Sequence, residues 1–191
     1  MKLLNEAKNA DYVFISVMGP HAQEKENDIF ARKTEDINKV GESFWVSRID
    51  EKFVEECRGR LKGDVGYLLL VNSSADGNGA SDTKIVEKAT HFSKDKEKWS
   101  EIDAGISQVT GNLGKGVTAY YFDDIVECDE PIDLDYYSEV DEDSKAIKFR
   151  QGYSNVFAKK NVIKLEGGMK SSKRKIVAVL RLKYPYIVWV K

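Results

Sequence analysis

Cysteine, histidine and proline are scarce in this chain, at two, two and three among 191 residues. Cys57 and Cys128 are too few and too far apart to build a disulfide framework, which points to a reducing compartment. His21 and His91 have no neighbouring cysteine, so no zinc-ligand spacing arises, and no GxSxG stretch marks a nucleophilic serine. Long apolar runs are missing as well. The longest, Tyr67 to Val71 and Tyr184 to Val190, fall far short of the roughly 20 residues that a membrane helix needs. Leu3 and Leu4 give way at once to Asn5 and Glu6, so the apolar stretch of a secretory leader is absent. These absences set the expectation of a cytoplasmic protein with no membrane partner, no metal and no cofactor.

What is present is charge, sharply sorted. Between Val117 and Ser144 lie eleven carboxylates and no Lys or Arg; from Lys145 to Lys191 lie thirteen Lys or Arg and one acid, Glu166. A net charge of −2 conceals this reversal. Fields of opposite sign follow from such sorting, and a concentrated basic surface favours phosphate-bearing partners. With 41% hydrophobic and 10% aromatic residues, the chain has enough apolar material for one packed domain spanning residues 1–191.

Asp11 to Met18 is β-branched and aromatic and stops at Gly19-Pro20, the pattern of a first strand. Ile29, Phe30, Ile37 and Val40 fit a short helix closed by Gly41. Ser43 to Ile49 reads as a strand, after which Asp50 is placed to cap a helix carrying Phe53, Val54, Cys57 and Leu61 on one stripe. Val65 to Val71 reads as a strand buried on both faces, and Thr83 to Phe92 as the next. Residues 94 to 116 read as mostly irregular, Val117 to Phe122 as a strand, and the acidic stretch after it as a solvated loop or short helix. Asn155 to Leu165 and Lys175 to Lys183 suit a paired hairpin whose tip carries Lys170, Lys173, Arg174 and Lys175. Pro185 favours an edge or a bulge if the second arm continues to Val190.

Motifs that would carry chemistry are incomplete. Thr110 to Thr118, TGNLGKGVT, suggests a phosphate loop, but Val109 and Gly116 stand where a Walker loop needs Gly and Ser or Thr. Asp76, Asn78, Asp82 and Glu87 imitate a calcium loop in which Ala80 lacks the required oxygen and Ser81 replaces the turn glycine. No catalytic residue is assigned, which leaves enzyme activity open and less favoured than binding.

One stretch has a recognisable order of features: Trp45 in an aromatic strand, a helix, Gly63-Asp64, a buried strand ending in Asn72-Ser73-Ser74, then Trp99, then Pro131-Ile132-Asp133-Leu134. Over roughly residues 43 to 137 it resembles the PUA-like superfamily, particularly EVE and YTH-type domains. That resemblance implies an α+β fold: a small mixed β-barrel core over about residues 11–140, with two or three short helices and a basic C-terminal β-hairpin over about 145–191. It also implies nucleic-acid binding, DNA or RNA, with a modified or extruded base held between aromatic walls. Trp45 and Trp99 are then the wall candidates, Ser47, Arg48, Asn72 and Ser73 the edge candidates, and Lys170, Lys173, Arg174 and Lys175 the phosphate contacts. Two other readings stand beside it. One is a protein-interaction or self-association domain that pairs the acidic and basic blocks with each other or with a second copy. The other is a hydrolase or nuclease whose Asp123, Asp124 and Glu127 collect a divalent metal.

Overall fold

The structure, a computed structural model, describes residues 2–18, 26–72, 85–110, 116–141, 143, 145–147, 149, 155–161 and 174–191. Among the described residues the helices are α1 (Lys2–Asn9), α2 (Glu26–Val40) and α3 (Glu51–Leu61), with a 3-10 turn at Leu134–Tyr136. Its strands are β1 (Val13–Val17), β2 (Ser43–Val46), β3 (Gly66–Val71), β4 (Ile85–Ser93), β5 (Trp99–Thr110) and β6 (Val117–Asp133). They continue with β7 (Tyr137–Val140), β8 (Ala146–Ile147), β9 (Asn155–Lys160) and β10 (Lys175–Val190). The α+β class follows directly from this inventory. No helix among the described residues is long and apolar enough to cross a membrane.

The chain divides into two compact units. Met1–Gly19, Gly66–Asn78 and Val126–Leu180 form the first; Pro20–Val65, Gly79–Ile125 and Arg181–Lys191 form the second. The long strands β6 and β10 therefore give residues to both.

In the first unit the strands lie in the order β10, β3, β1, β9, β7, β8. β1 runs parallel to β3, with Phe14 opposite Leu68 and Val17 opposite Val71. Both strands are almost wholly apolar because both of their faces are covered. α1 sets Leu3 and Ala7, one helical turn apart, into the core with Val13, Ile15, Leu69, Val156 and Val179. Asn72 closes the β3 end: its amide donates to the Lys175 carbonyl at 3.0 Å, and its Oδ1 accepts from the Lys175 amide at 2.6 Å.

The second unit orders its strands β2, β6, β10, β4, β5. Its core is Phe44, Ala89, Ile102, Ile106, Ala119, Tyr121, Val188 and Val190. Phe44, Phe92 and Tyr121 form an aromatic triangle with centroids 5.5 to 6.0 Å apart. α3 starts where the sequence places it, with Asp50 Oδ1 accepting from the Phe53 amide at 2.8 Å. It ends at Lys62, whose left-handed backbone (φ 48°) is followed by Gly63 at φ 94°. Val54, Cys57 and Leu61 are the buried stripe, and burial pushes the Cys57 thiol far up, which makes it chemically inert.

Several sequence expectations are corrected. The strands do not close into a barrel, since β2 and β5 in the second unit and β8 in the first each have one hydrogen-bonded neighbour among the described residues. Closure needs a continuous register between first and last strands. β2 has four residues, and β5 breaks register between the pairs Ala89–Ile106 and His91–Glu101. The C-terminal hairpin is also not formed as expected: β9 pairs with β1 and β7, which occupy both of its edges, and β10 pairs with β6, β3 and β4. Residues 99 to 110, expected to be irregular, are strand β5. The acidic stretch is no solvated loop, because β6 runs on to Asp133.

Candidate functional site

The site begins with a short turn between β4 and β5, in the second unit. Asp95 builds it: its Oδ1 accepts from the Glu97 amide at 2.9 Å, the Lys98 amide at 3.1 Å and the Ser93 hydroxyl at 3.1 Å. One carboxylate thus organises the backbone and turns Lys94, Lys96 and Lys98 outward, all exposed. The bonds from the Lys98 and Glu97 amides hold the Asp95 carboxyl below its ordinary value of 3.8. A lowered folded-state pKa gives stabilisation that is complete above the unfolded value and is lost as pH falls through the folded one. The turn is therefore expected to loosen below about pH 4. Trp99 fluorescence, followed from pH 6 to pH 2, checks this, and the Asp95→Asn protein should lack the transition.

Arg58, from α3, ties this turn to β10. Its Nη2 donates to the Lys94 carbonyl at 2.8 Å and to the Ile187 carbonyl at 3.1 Å, while Nη1 meets Glu55 at 3.2 Å. The same guanidinium lies 5.9 Å from the centre of the Trp189 ring, and its Nε is buried with no hydrogen-bond partner among the described residues. Val188 and Val190 point into the core, so strand alternation puts Trp189 and Lys191 on the opposite face.

Aromatic rings and cations meet along this end of β10. Lys94 Nζ stands 5.7 Å from the Tyr184 ring centre, Lys96 Nζ 5.0 Å from Trp189, and Lys191 Nζ 4.1 Å from Trp99. Trp99 Nε1 donates to the Lys96 carbonyl at 3.1 Å. Gly116 adopts φ 73°, a left-handed backbone that favours glycine, and lies beside the Trp99 ring. Contact by contact, the strip runs Tyr184, Lys94, Arg58, Trp189, Lys96, Trp99, Lys191. Trp189 is buried, Trp99 half-buried, and Tyr184 is 60% exposed. Each ring–cation contact contributes about 0.5–1 kcal/mol when exposed. Acids stand nearby too: Glu51 pairs with Lys96, and Glu97 is exposed. Among the described residues, no carboxylate lies within ion-pair distance of Lys94, Lys98 or Lys191.

The residues nominated by the sequence are dispersed. Trp45 is 5% exposed, opposite Tyr120 in the β2–β6 pair, and has no ring face open to a ligand. Ser47 is engaged through its backbone: its amide donates to the Thr118 carbonyl at 3.1 Å, and its carbonyl accepts from Thr118 Oγ1 at 2.6 Å. Arg48 is exposed. Asn72 belongs to the first unit and serves the β3–β10 junction. Ser73, Lys170 and Lys173 lie outside the described residues. Arg174 is half-buried, and Lys175 is ion-paired with Asp133. Of the aromatic candidates, Trp99 alone keeps a partly open ring and a cation beside it.

Other cations of the basic block also meet the chain's own acids. Arg181 Nε contacts Asp123 at 2.8 Å and Arg181 Nη1 lies 3.9 Å from Asp124. Lys183 contacts Glu42 at 2.7 Å, and Tyr121 donates its hydroxyl to the same carboxylate. Burial and that bond push the Tyr121 hydroxyl up to about 12. Asp123 and Asp124 therefore face a guanidinium. No three His, Cys, Asp or Glu side chains among the described residues converge as a metal site would require.

The sequence does not nominate Lys94, Lys96, Lys98, Arg58, Tyr184 or Lys191. One signal was there: in Ser93-Lys94-Asp95-Lys96-Glu97-Lys98-Trp99 lysine recurs at every second position and ends on a tryptophan. The intervening acids make the stretch look neutral, although Asp95 is spent on its own turn.

No protein-family model matches the chain, and comparison with curated proteins and with solved structures gives no match either.

Proposed function

We propose that this protein is a nucleic-acid-binding module and that the aromatic–lysine strip of its second unit is the contact surface. The observation that supports this is the pairing of an open ring, Tyr184, and a half-open one, Trp99, with the ammonium groups of Lys94 and Lys191. Phosphates need cations that are not already neutralised, and Lys94, Lys98 and Lys191 meet that condition; bases need a flat ring, and Trp99 and Tyr184 offer one. The resemblance of residues 43 to 137 to PUA-like modules belongs to the same proposal. Affinity is assigned to the turn after β4, since Lys175, Arg181 and Lys183 already have carboxylate partners.

The test is oligonucleotide binding by fluorescence anisotropy at several salt concentrations, comparing the parent with Lys94→Gln/Lys98→Gln/Lys191→Gln. Three lost phosphate contacts should reduce the slope of log K against log salt by about 2 and weaken binding roughly 100-fold at 0.1 M salt. Unchanged affinity and slope would remove the strip as the phosphate contact. The ion pairs of β10 favour a second reading, in which acidic and basic blocks serve each other and the protein's role is association with other copies or proteins. Salt-weakened self-association in sedimentation, with no oligonucleotide bound at low salt, is the result that reading requires.

A further inference from the structure

Resting on that reading, we infer that the strip takes single-stranded rather than duplex nucleic acid, with Tyr184 stacking on an unpaired base. Tyr184 is a large ring left 60% exposed at a fixed place. Its ring stands perpendicular to that of Tyr186, with centroids 5.7 Å apart and an interplanar angle of 89°. Tyr186 is fully buried and anchored by its hydroxyl, which donates to the Asp64 carbonyl at 2.6 Å. A ring held this way loses little freedom when a base settles on it. Stacking contributes about 1–3 kcal/mol per base, and it is open only to bases that have left a helical stack. Lys94 beside Tyr184 and Lys191 beside Trp99 place an ammonium next to each ring, where the phosphates flanking a stacked base would lie.

Duplex recognition asks for different equipment. A major groove admits a helix or a two-stranded ribbon, and the β4–β5 pair is such a ribbon, but a stacked duplex has no use for the open Tyr184 ring. Several helix cations pair with acids of the same helix: Lys2 with Glu6, Lys39 with Glu35, Arg58 with Glu55 and Arg60 with Glu56. The strip instead follows one strand end, from Tyr184 to Lys191, at most about 23 Å long at 3.3 Å per residue. That is a track for a short run of backbone.

The experiment compares an oligothymidylate of about 12 nucleotides, within the site size of single-strand binders, with a mixed-sequence duplex of the same length at matched salt. The parent should bind the single strand at least tenfold more tightly. Tyr184→Ala should weaken single-strand binding about tenfold without changing the salt slope, and Tyr184→Phe should restore it, because stacking needs the ring and not the hydroxyl. Thermal melts of both variants confirm that an exposed side chain was changed without loss of fold. Equal or tighter duplex binding that still depends on Lys94, Lys98 and Lys191 would overturn the single-strand inference while leaving the nucleic-acid reading intact. Unaltered single-strand binding by Tyr184→Ala would overturn it equally. Binding of neither probe at low salt would end both.

Discussion

Trp45→Ala should lower folding stability by about 3–5 kcal/mol, the range for removing a large aromatic from a core. The ring is 5% exposed and sits in register with Tyr120, which is fully buried. Phe44 is one ring of the aromatic triangle and Val46 packs against the same core, so alternation sends Trp45 to the other face of the sheet. Its removal leaves a cavity there, in a strand of only four residues. Urea denaturation measures the effect: the midpoint should fall markedly with little change in m. A variant as stable as the parent would show that Trp45 contributes no packing and would return it to the list of ligand-facing rings.

Arg58→Ala is expected to cost about 3 kcal/mol and to weaken oligonucleotide binding in the same protein. Hydrogen bonds from a charged donor contribute about 1.5–3 kcal/mol each, and two carbonyls, those of Lys94 and Ile187, depend on this one guanidinium. Without it the turn bearing Lys94, Lys96 and Lys98 is no longer fastened to β10, and the strip loses its spacing. Arg58→Lys should rescue only a small part, because an ammonium cannot reproduce the planar fork that reaches both carbonyls while lying over Trp189. Thermal melts and anisotropy on the two variants supply the numbers. An Arg58→Ala protein with parental stability would contradict the bracing role, and one that is destabilised but binds normally would separate the brace from the strip.

Local signals were readable in the sequence where they were not contested. Asp50 before Phe53, Val54, Cys57 and Leu61 announced α3 because a cap and a stripe agree there. The apolar run ending at Val71 announced β3 for the same reason. β5 was hidden because Ile102 to Gly105 is extra length inserted between paired positions, so apolar residues lose their alternation where the register shifts. The second half of β6 was hidden by its charge. Val126, Cys128 and Ile132 follow a two-residue period and pack on the first core, but Glu127, Asp129, Glu130 and Asp133 around them read as solvated chain. Partners of β9 and β10 depend on pairings across the whole chain, and proximity in sequence suggested the wrong one. The site was legible only at Trp99. Tyr184 and Lys191 acquire their meaning when β10 meets the turn after β4, a juxtaposition that no spacing rule encodes.

β10 also imposes an order of events on the newborn chain. Each core includes side chains from it, Val179 in one and Val188 in the other, so neither interior is complete until the ribosome has passed residue 190. For all that time β6 is without the strand that later lies beside it, and an unpaired strand edge invites aggregation. Its carboxylates repel one another and those of a sister chain, which disfavours such pairing. When Arg181 arrives, 58 residues after Asp123, the repulsion becomes an attraction that selects the correct neighbour. The sorted charge that looked like a signal to outside partners thus meets in part within the chain, where Arg181 pairs with Asp123 and Lys175 with Asp133.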